Sequence, residues 1–81
     1  MGREKILKEV QIAIREQLTD GSYDPGLPAE TESLTGIGMD SYDVVCVGMK
    51  LEEKFNIVIN DEKLSMMETV KDFVDTVETS L

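Results

Sequence analysis

The chain contains no histidine and no tryptophan, one cysteine, two prolines, and eight lysines and arginines against seventeen acids. Each scarcity excludes something. Histidine is the side chain that titrates near neutral pH and usually serves as general base, so a self-contained serine hydrolase lacks its proton acceptor. One cysteine, Cys46, rules out an internal disulfide and, without histidine, a zinc site of nitrogen and sulfur donors. Aromatic residues make up 5% of the chain, which leaves the core to Ile, Leu, Val and Met. No apolar run approaches the ~18 residues of a membrane span. The first apolar positions are interleaved with charges, unlike a secretory leader. The expected location is therefore the cytoplasm. The net charge of −9 argues against nucleic acid and anionic membranes as partners, and for basic proteins or cations.

What is present is small and acidic. The 81 residues are expected to form one domain, 1–81, acting as a monomer. A chain of this size buries roughly 60–65% of the surface it exposes when unfolded, too little to enclose a large active site. Residues 1–20 hold as many bases as acids, so the whole excess of negative charge lies beyond them. Such a field speeds encounter with a basic partner and destabilises the isolated fold by self-repulsion.

Ile6, Val10, Ala13, Ile14 and Leu18 recur at helical spacing and predict an amphipathic helix over about residues 3–18. The stretch 19–40 contains both prolines and four of the six glycines, a long loop of the kind that is often functional. Tyr23, Leu27, Leu34 and Ile37 are expected to pin it to the core. Asp40 is a favoured N-cap residue and Asp43 stands at the capping-box position, so a second helix begins at Ser41. On this helix Val44, Gly48, Leu51 and Phe55 form the expected core stripe. Tyr42, Val45, Cys46 and Met49 form a second apolar stripe that ends at Glu52 and Glu53, and a second stripe on a solvent side marks a docking surface. Residues 55–60 read as an apolar connection. Asn60 caps a short helix from Asp61 to about Met67, and Thr69 with Asp72 caps a last helix whose apolar face is Val70, Phe73, Val74, Val77 and Leu81. The fold class is all-α: a small four-helix bundle with three main helices, one short helix and a long first loop.

Ser41 is the puzzle. It is a small hydroxyl at a helix start, and nothing around it would activate it. Asp40 and Asp43 are solvated carboxylates, and Lys50 lies on the other side of the helix. The serine therefore reads either as part of a capping pair or as the substrate of chemistry done by another protein. A phosphodiester there would place negative charge at a helix N-terminus, where the dipole favours it. On spacing alone the two readings weigh the same. Intrinsic calcium binding is the other alternative for a small acidic helical module. The best stretch, Asp20-x-Ser22-x-Asp24, has Pro25 and Thr31 where a calcium loop needs Gly and Glu.

Leu34-x-x-Ile37-Gly38-Met39-Asp40-Ser41-Tyr42-Asp43 resembles the attachment motif of acyl carrier proteins, usually aliphatic-Gly-x-Asp-Ser-Leu. The match runs on through Val45, Met49, Leu51 to Phe55, Ile57, Ile59, Asp61-Glu62 and Thr69-Val70-x-x-Phe73-Val74, and includes Glu16-Gln17-Leu18 in the first helix. The resemblance implies that Ser41 receives 4′-phosphopantetheine from coenzyme A through a separate Mg²⁺-dependent phosphopantetheinyl transferase. It implies that Asp40 helps hold the metal in that complex. The chain would carry acyl groups as thioesters without turning over substrate, and would present them to acyl-transferring and condensing enzymes with basic docking patches. Tyr42, Asp43, Val45, Cys46, Met49, Glu52 and Glu53 form the implied docking face. Two positions depart from the pattern: Tyr42 replaces an aliphatic residue, and Cys46 stands where fatty-acid carriers commonly have Glu. Both point to specialised partners. Gly48 reads as a close helix contact or as room for an acyl chain. Met39, Met49, Met66 and Met67 read as core filling or as the lining of an adaptable cavity.

Overall fold

The computed structural model describes residues 2–19 and 26–81. The elements run α1 (Arg3–Leu18), α2 (Ser41–Phe55), α3 (Asp61–Ser65) and α4 (Val70–Ser80). The architecture is the expected all-α bundle. No strand forms among the described residues, and the one extended pairing is an isolated antiparallel bridge between Ser33 and Thr69. Tyr23 and the Asp20-x-Ser22-x-Asp24 stretch lie outside the described residues.

Local chemistry sets the helix boundaries. Asp40 and Thr69 each form a reciprocal capping box, with Asp43 and Asp72 respectively, so two orphan N–H groups are satisfied at each start. Asn60 accepts from the Lys63 N–H and starts α3. α2 stops where Asn56 adopts the left-handed conformation (φ 55°, ψ 50°), which asparagine tolerates better than most residues.

α1 packs against both α2 and α4, and α2 also touches α3 and α4. The core is aliphatic around one ring: Ile6, Val10 and Ile14 of α1 meet Val47 and Leu51 of α2 and Phe73, Val74 and Val77 of α4. Each such side chain contributes about 1.5–3 kcal/mol by leaving water. The core stripe of α2 differs from expectation. Gly48 and Leu51 are buried as expected, but Val47 is the third member, while Val44 and Phe55 are only partly covered. The reason is geometric. Val44 and Phe55 sit in the first and last turns, where the neighbouring helices no longer cover α2 from both sides. Leu81 lies beyond α4 and is 57% exposed rather than part of its apolar face. α3 ends at Ser65, and Met66 is exposed.

Gly48 has a steric reason. A Cβ built there would lie 2.6 Å from Leu64 Cδ2, so the glycine admits the α3 leucine against α2. Of the two expectations for this residue, close helix contact is the one the packing supports. Of the four methionines, Met39 is core, Met67 is partly buried, and Met49 and Met66 face out.

The first loop is anchored by Leu34, which is buried, and by Ile37 against the core, whereas Leu27 stays exposed. Its backbone is tied to the start of α4 by Leu34 N–H to Glu68 O (2.9 Å), Val70 N–H to Glu32 O (3.1 Å) and Lys71 N–H to Glu30 O (2.9 Å). Gly38 then turns the chain with φ 95°, which an L side chain rarely adopts, and delivers Met39 into the core and Asp40 to the cap.

Arg3 links the ends of the chain, bridging Glu30 of the loop with Asp75 (2.8 Å) and Glu78 (3.3 Å) of α4. Lys71 and then Arg3 hold the Asp75 carboxyl below its usual range. A depressed folded value means that this carboxylate stabilises the fold above the unfolded pKa of about 4, and that the contribution disappears as pH falls through the folded value. The pairs are half exposed, so the contribution is small, about 0–1 kcal/mol. The Tm difference between wild type and Asp75→Asn is expected at pH 7 and should close below about pH 4. Thermal melts across that range check it.

Candidate functional site

Ser41 is the first residue of α2 and is exposed. Among the described residues its hydroxyl has no hydrogen-bond partner, and the N–H groups of Ser41 and Tyr42 have none either, because they precede the first intrahelical bond, Val44 N–H to Asp40 O (3.0 Å). Asp40 Oδ1 accepts from the Asp43 N–H (2.9 Å), which leaves Oδ2, on the residue before the serine, without a hydrogen bond. The arrangement offers an unencumbered nucleophile, two backbone donors suited to a phosphate, and one carboxylate oxygen available to a cation held by a partner. It offers no base. These are the requirements of a residue that is modified by another protein, and a phosphodiester arm on Ser41 fits them.

Ser41 borders a groove of about 560 Å³ between the first half of α2, α3 and the loop before α2. Met39, Val44, Val45, Leu64 and Met67 give it an apolar lining, with Asp40 and Asp61 as its charged members. A second groove of about 480 Å³ lies between α1 and α2 and does not reach Ser41. Its lining mixes charged residues with Ile12, Ala13 and Leu51, and Lys54 and Glu9 of that lining form an ion pair (2.9 Å). Pairing with Glu9 raises the Lys54 ammonium above its ordinary value.

The expected docking residues separate into two groups. Tyr42 (71% exposed), Val45, Met49 (60%) and Glu53 face solvent, and Cys46 is half-buried among them. Tyr42 and Cys46 lie one turn apart on α2. The Tyr42 phenol is raised above its ordinary value, first by the neighbouring Cys46 and less by the charges of Asp43 and Asp40. Asp43 and Glu52 are occupied internally. Asp43 Oδ2 accepts from the Asp40 N–H (3.2 Å) and its Oδ1 from Gln17 Nε2 (3.0 Å), and Glu52 Oε2 accepts from the Ile59 N–H (2.9 Å). Gln17 was not a candidate from sequence. It is one polar residue on an amphipathic helix, and its partner lies 26 positions away, beyond the reach of periodicity. Among the described residues no three His, Cys, Asp or Glu side chains converge as a metal set, and no helix is long and apolar enough to cross a membrane.

The comparisons agree with this geometry. The model of the family described as phosphopantetheine attachment site matches residues 9–77. An acyl carrier protein from an Exiguobacterium species is 40% identical over 81 residues, the full length of both chains. An acyl carrier protein from Coprothermobacter proteolyticus is 31% identical and covers 100% of this chain and 96% of its own. The crystal structure of an acyl carrier protein from Thermotoga maritima superposes with a TM-score of 0.81 at 28% identity, covering 96% of this chain and 88% of that one. The chain belongs to the acyl carrier proteins, the family whose prosthetic group is a covalently attached 4′-phosphopantetheine.

Proposed function

We propose that Ser41 is the attachment residue and that the chain acts as a carrier of acyl groups without catalysing their conversion. When bound, the arm supplies a thiol on which acyl groups ride as thioesters. The residues of the chain do the rest. Ser41 Oγ takes the phosphopantetheine phosphoryl group from coenzyme A, the adenosine bisphosphate half leaves, and the serine proton passes to a base on the transferase. Asp40 would help hold the Mg²⁺ of the transferase complex, through the oxygen that the cap leaves without a hydrogen bond. The apolar groove beside Ser41, closed at one side by Leu64 against Gly48, shelters the acyl chain. The observation that carries this reading is the exposed, unpartnered Ser41 hydroxyl at the start of α2, at the edge of that groove. Incubation with coenzyme A, Mg²⁺ and a promiscuous phosphopantetheinyl transferase, followed by intact mass, tests it. One phosphopantetheine adduct is expected, and folded protein that gains none would contradict it.

Enzymes of fatty-acid, lipid or polyketide-type biosynthesis would read the face of Tyr42, Val45, Cys46, Met49 and Glu53. Tyr42 and Cys46, where the family pattern has an aliphatic residue and an acid, support a specialised partner set. Glu53 is a clean probe of docking charge, since Glu52 also holds Ile59. Glu53→Lys is expected to slow loading by a partner several-fold at low salt, and the gap should shrink at about 0.5 M salt as screening shortens the field. Equal rates at low salt would remove Glu53 from the docking face.

A further inference from the structure

We infer that Gln17 is a positioning residue for the loading of Ser41, an inference that rests on the proposed role of that serine. The two capping boxes of the fold are built differently. In the box of α4, Asp72 Oδ2 accepts from two backbone N–H groups, Glu68 (2.8 Å) and Thr69 (3.0 Å), so its carboxylate is oriented by its own segment. In the box of α2, Asp43 accepts one backbone N–H, that of Asp40, at a longer 3.2 Å. Its second donor is the side-chain amide of Gln17, at 3.0 Å, from the last turn of α1. Both boxes use aspartate, so the difference lies in the donors: with one long backbone bond, the α2 box alone holds its carboxylate weakly. Gln17 supplies the missing restraint from a helix whose own position is fixed by the buried Val10, Ala13 and Ile14.

The consequence reaches the serine in two steps. Gln17 orients the Asp43 carboxylate. Asp43 then holds the Asp40 N–H, while the Asp43 N–H holds Asp40 Oδ1. Asp40 is thereby held at the cap by both its N–H and its Oδ1, with its second oxygen left without a hydrogen bond on the residue before Ser41. A neutral amide suits this place. It donates to Asp43 without bringing a charge that would compete with the Mg²⁺ of the transferase for Asp40.

Two variants test the inference through the rate of loading by a phosphopantetheinyl transferase with coenzyme A and Mg²⁺, taken as a ratio to wild type at each pH. Gln17→Leu removes the donor and is expected to lower kcat/KM for the carrier about fivefold, the population shift that corresponds to loss of a typical cap, with a ratio independent of pH. Gln17→Glu sets a second carboxylate against Asp43. It keeps the size of glutamine but offers no donor, so at neutral pH it is expected to lower the ratio at least as far as Gln17→Leu. Hydrogen exchange of the Asp40 and Asp43 amides in Gln17→Leu should speed up in parallel. Wild-type loading by either variant, unchanged exchange of the Asp40 and Asp43 amides in Gln17→Leu, or a lowered Tm with unchanged loading would each overturn the inference. Absence of any adduct on wild type would instead overturn the role of Ser41, so the two failures are distinguishable.

Discussion

Ser41→Ala is expected to abolish loading completely while leaving the fold at wild-type stability. The reasoning separates the two roles that the position could play. The cap of α2 is supplied by Asp40 and Asp43, and the Ser41 hydroxyl takes no part in it. An exposed residue in the first turn, with no hydrogen bond to lose, changes stability by less than about 0.5 kcal/mol when truncated. The modification, by contrast, needs that one oxygen. Thermal melts and intact mass on the same sample check both halves. An unloaded variant that had also unfolded would return the serine to the capping reading. Asp40→Ala is the complementary case: it removes the cap and the free carboxylate together, so stability and loading should fall in step.

Phe73→Ala is expected to be the most damaging core substitution. Phe73 is fully buried in the first turn of α4 and packs into the ring formed by α1, α2 and α4. Truncating such a residue costs about 3–5 kcal/mol, lost transfer energy plus the cavity left behind. A chain of 81 residues has only about 4–12 kcal/mol of stability in total. The net charge of −9 lowers the margin further. A fall in Tm of at least roughly 15 °C is expected at low salt, partly recovered by added salt as repulsion is screened. A loss of only a few degrees would mean that the bundle collapses into the space more readily than its close packing implies. Phe55, partly exposed at the end of α2, should cost markedly less on the same change.

The elements that were legible in the sequence are those governed by local chemistry. The bounds of α1, the caps at Asp40, Asn60 and Thr69, and the exposure of Tyr42, Val45 and Met49 all follow from spacing and from residue type at helix starts. What was not legible depends on tertiary neighbours. Val47 and Val44 are chemically equivalent, and only the position of α1 and α4 makes one core and the other the wall of a groove. Leu27 and Leu81 are apolar residues at the right spacing with nothing to cover them. Asp43 and Glu52 looked like free docking acids, because no pattern within α2 shows that Gln17 and the Ile59 N–H come within reach. The pairing of residues 30–34 with the start of α4 likewise joins segments that are far apart in the chain. The serine itself was visible from the start. In the structure the cap of α2 uses Asp40 and Asp43 and leaves the Ser41 hydroxyl without a hydrogen bond, which supports the proposal that another protein modifies it.

The most direct measurement is the location of the phosphopantetheine group. The protein is loaded by a phosphopantetheinyl transferase with coenzyme A and Mg²⁺, digested, and sequenced by tandem mass spectrometry. One modified peptide is predicted, with the whole added mass on Ser41. An adduct on any other residue, or loading that persists in Ser41→Ala, would contradict the account.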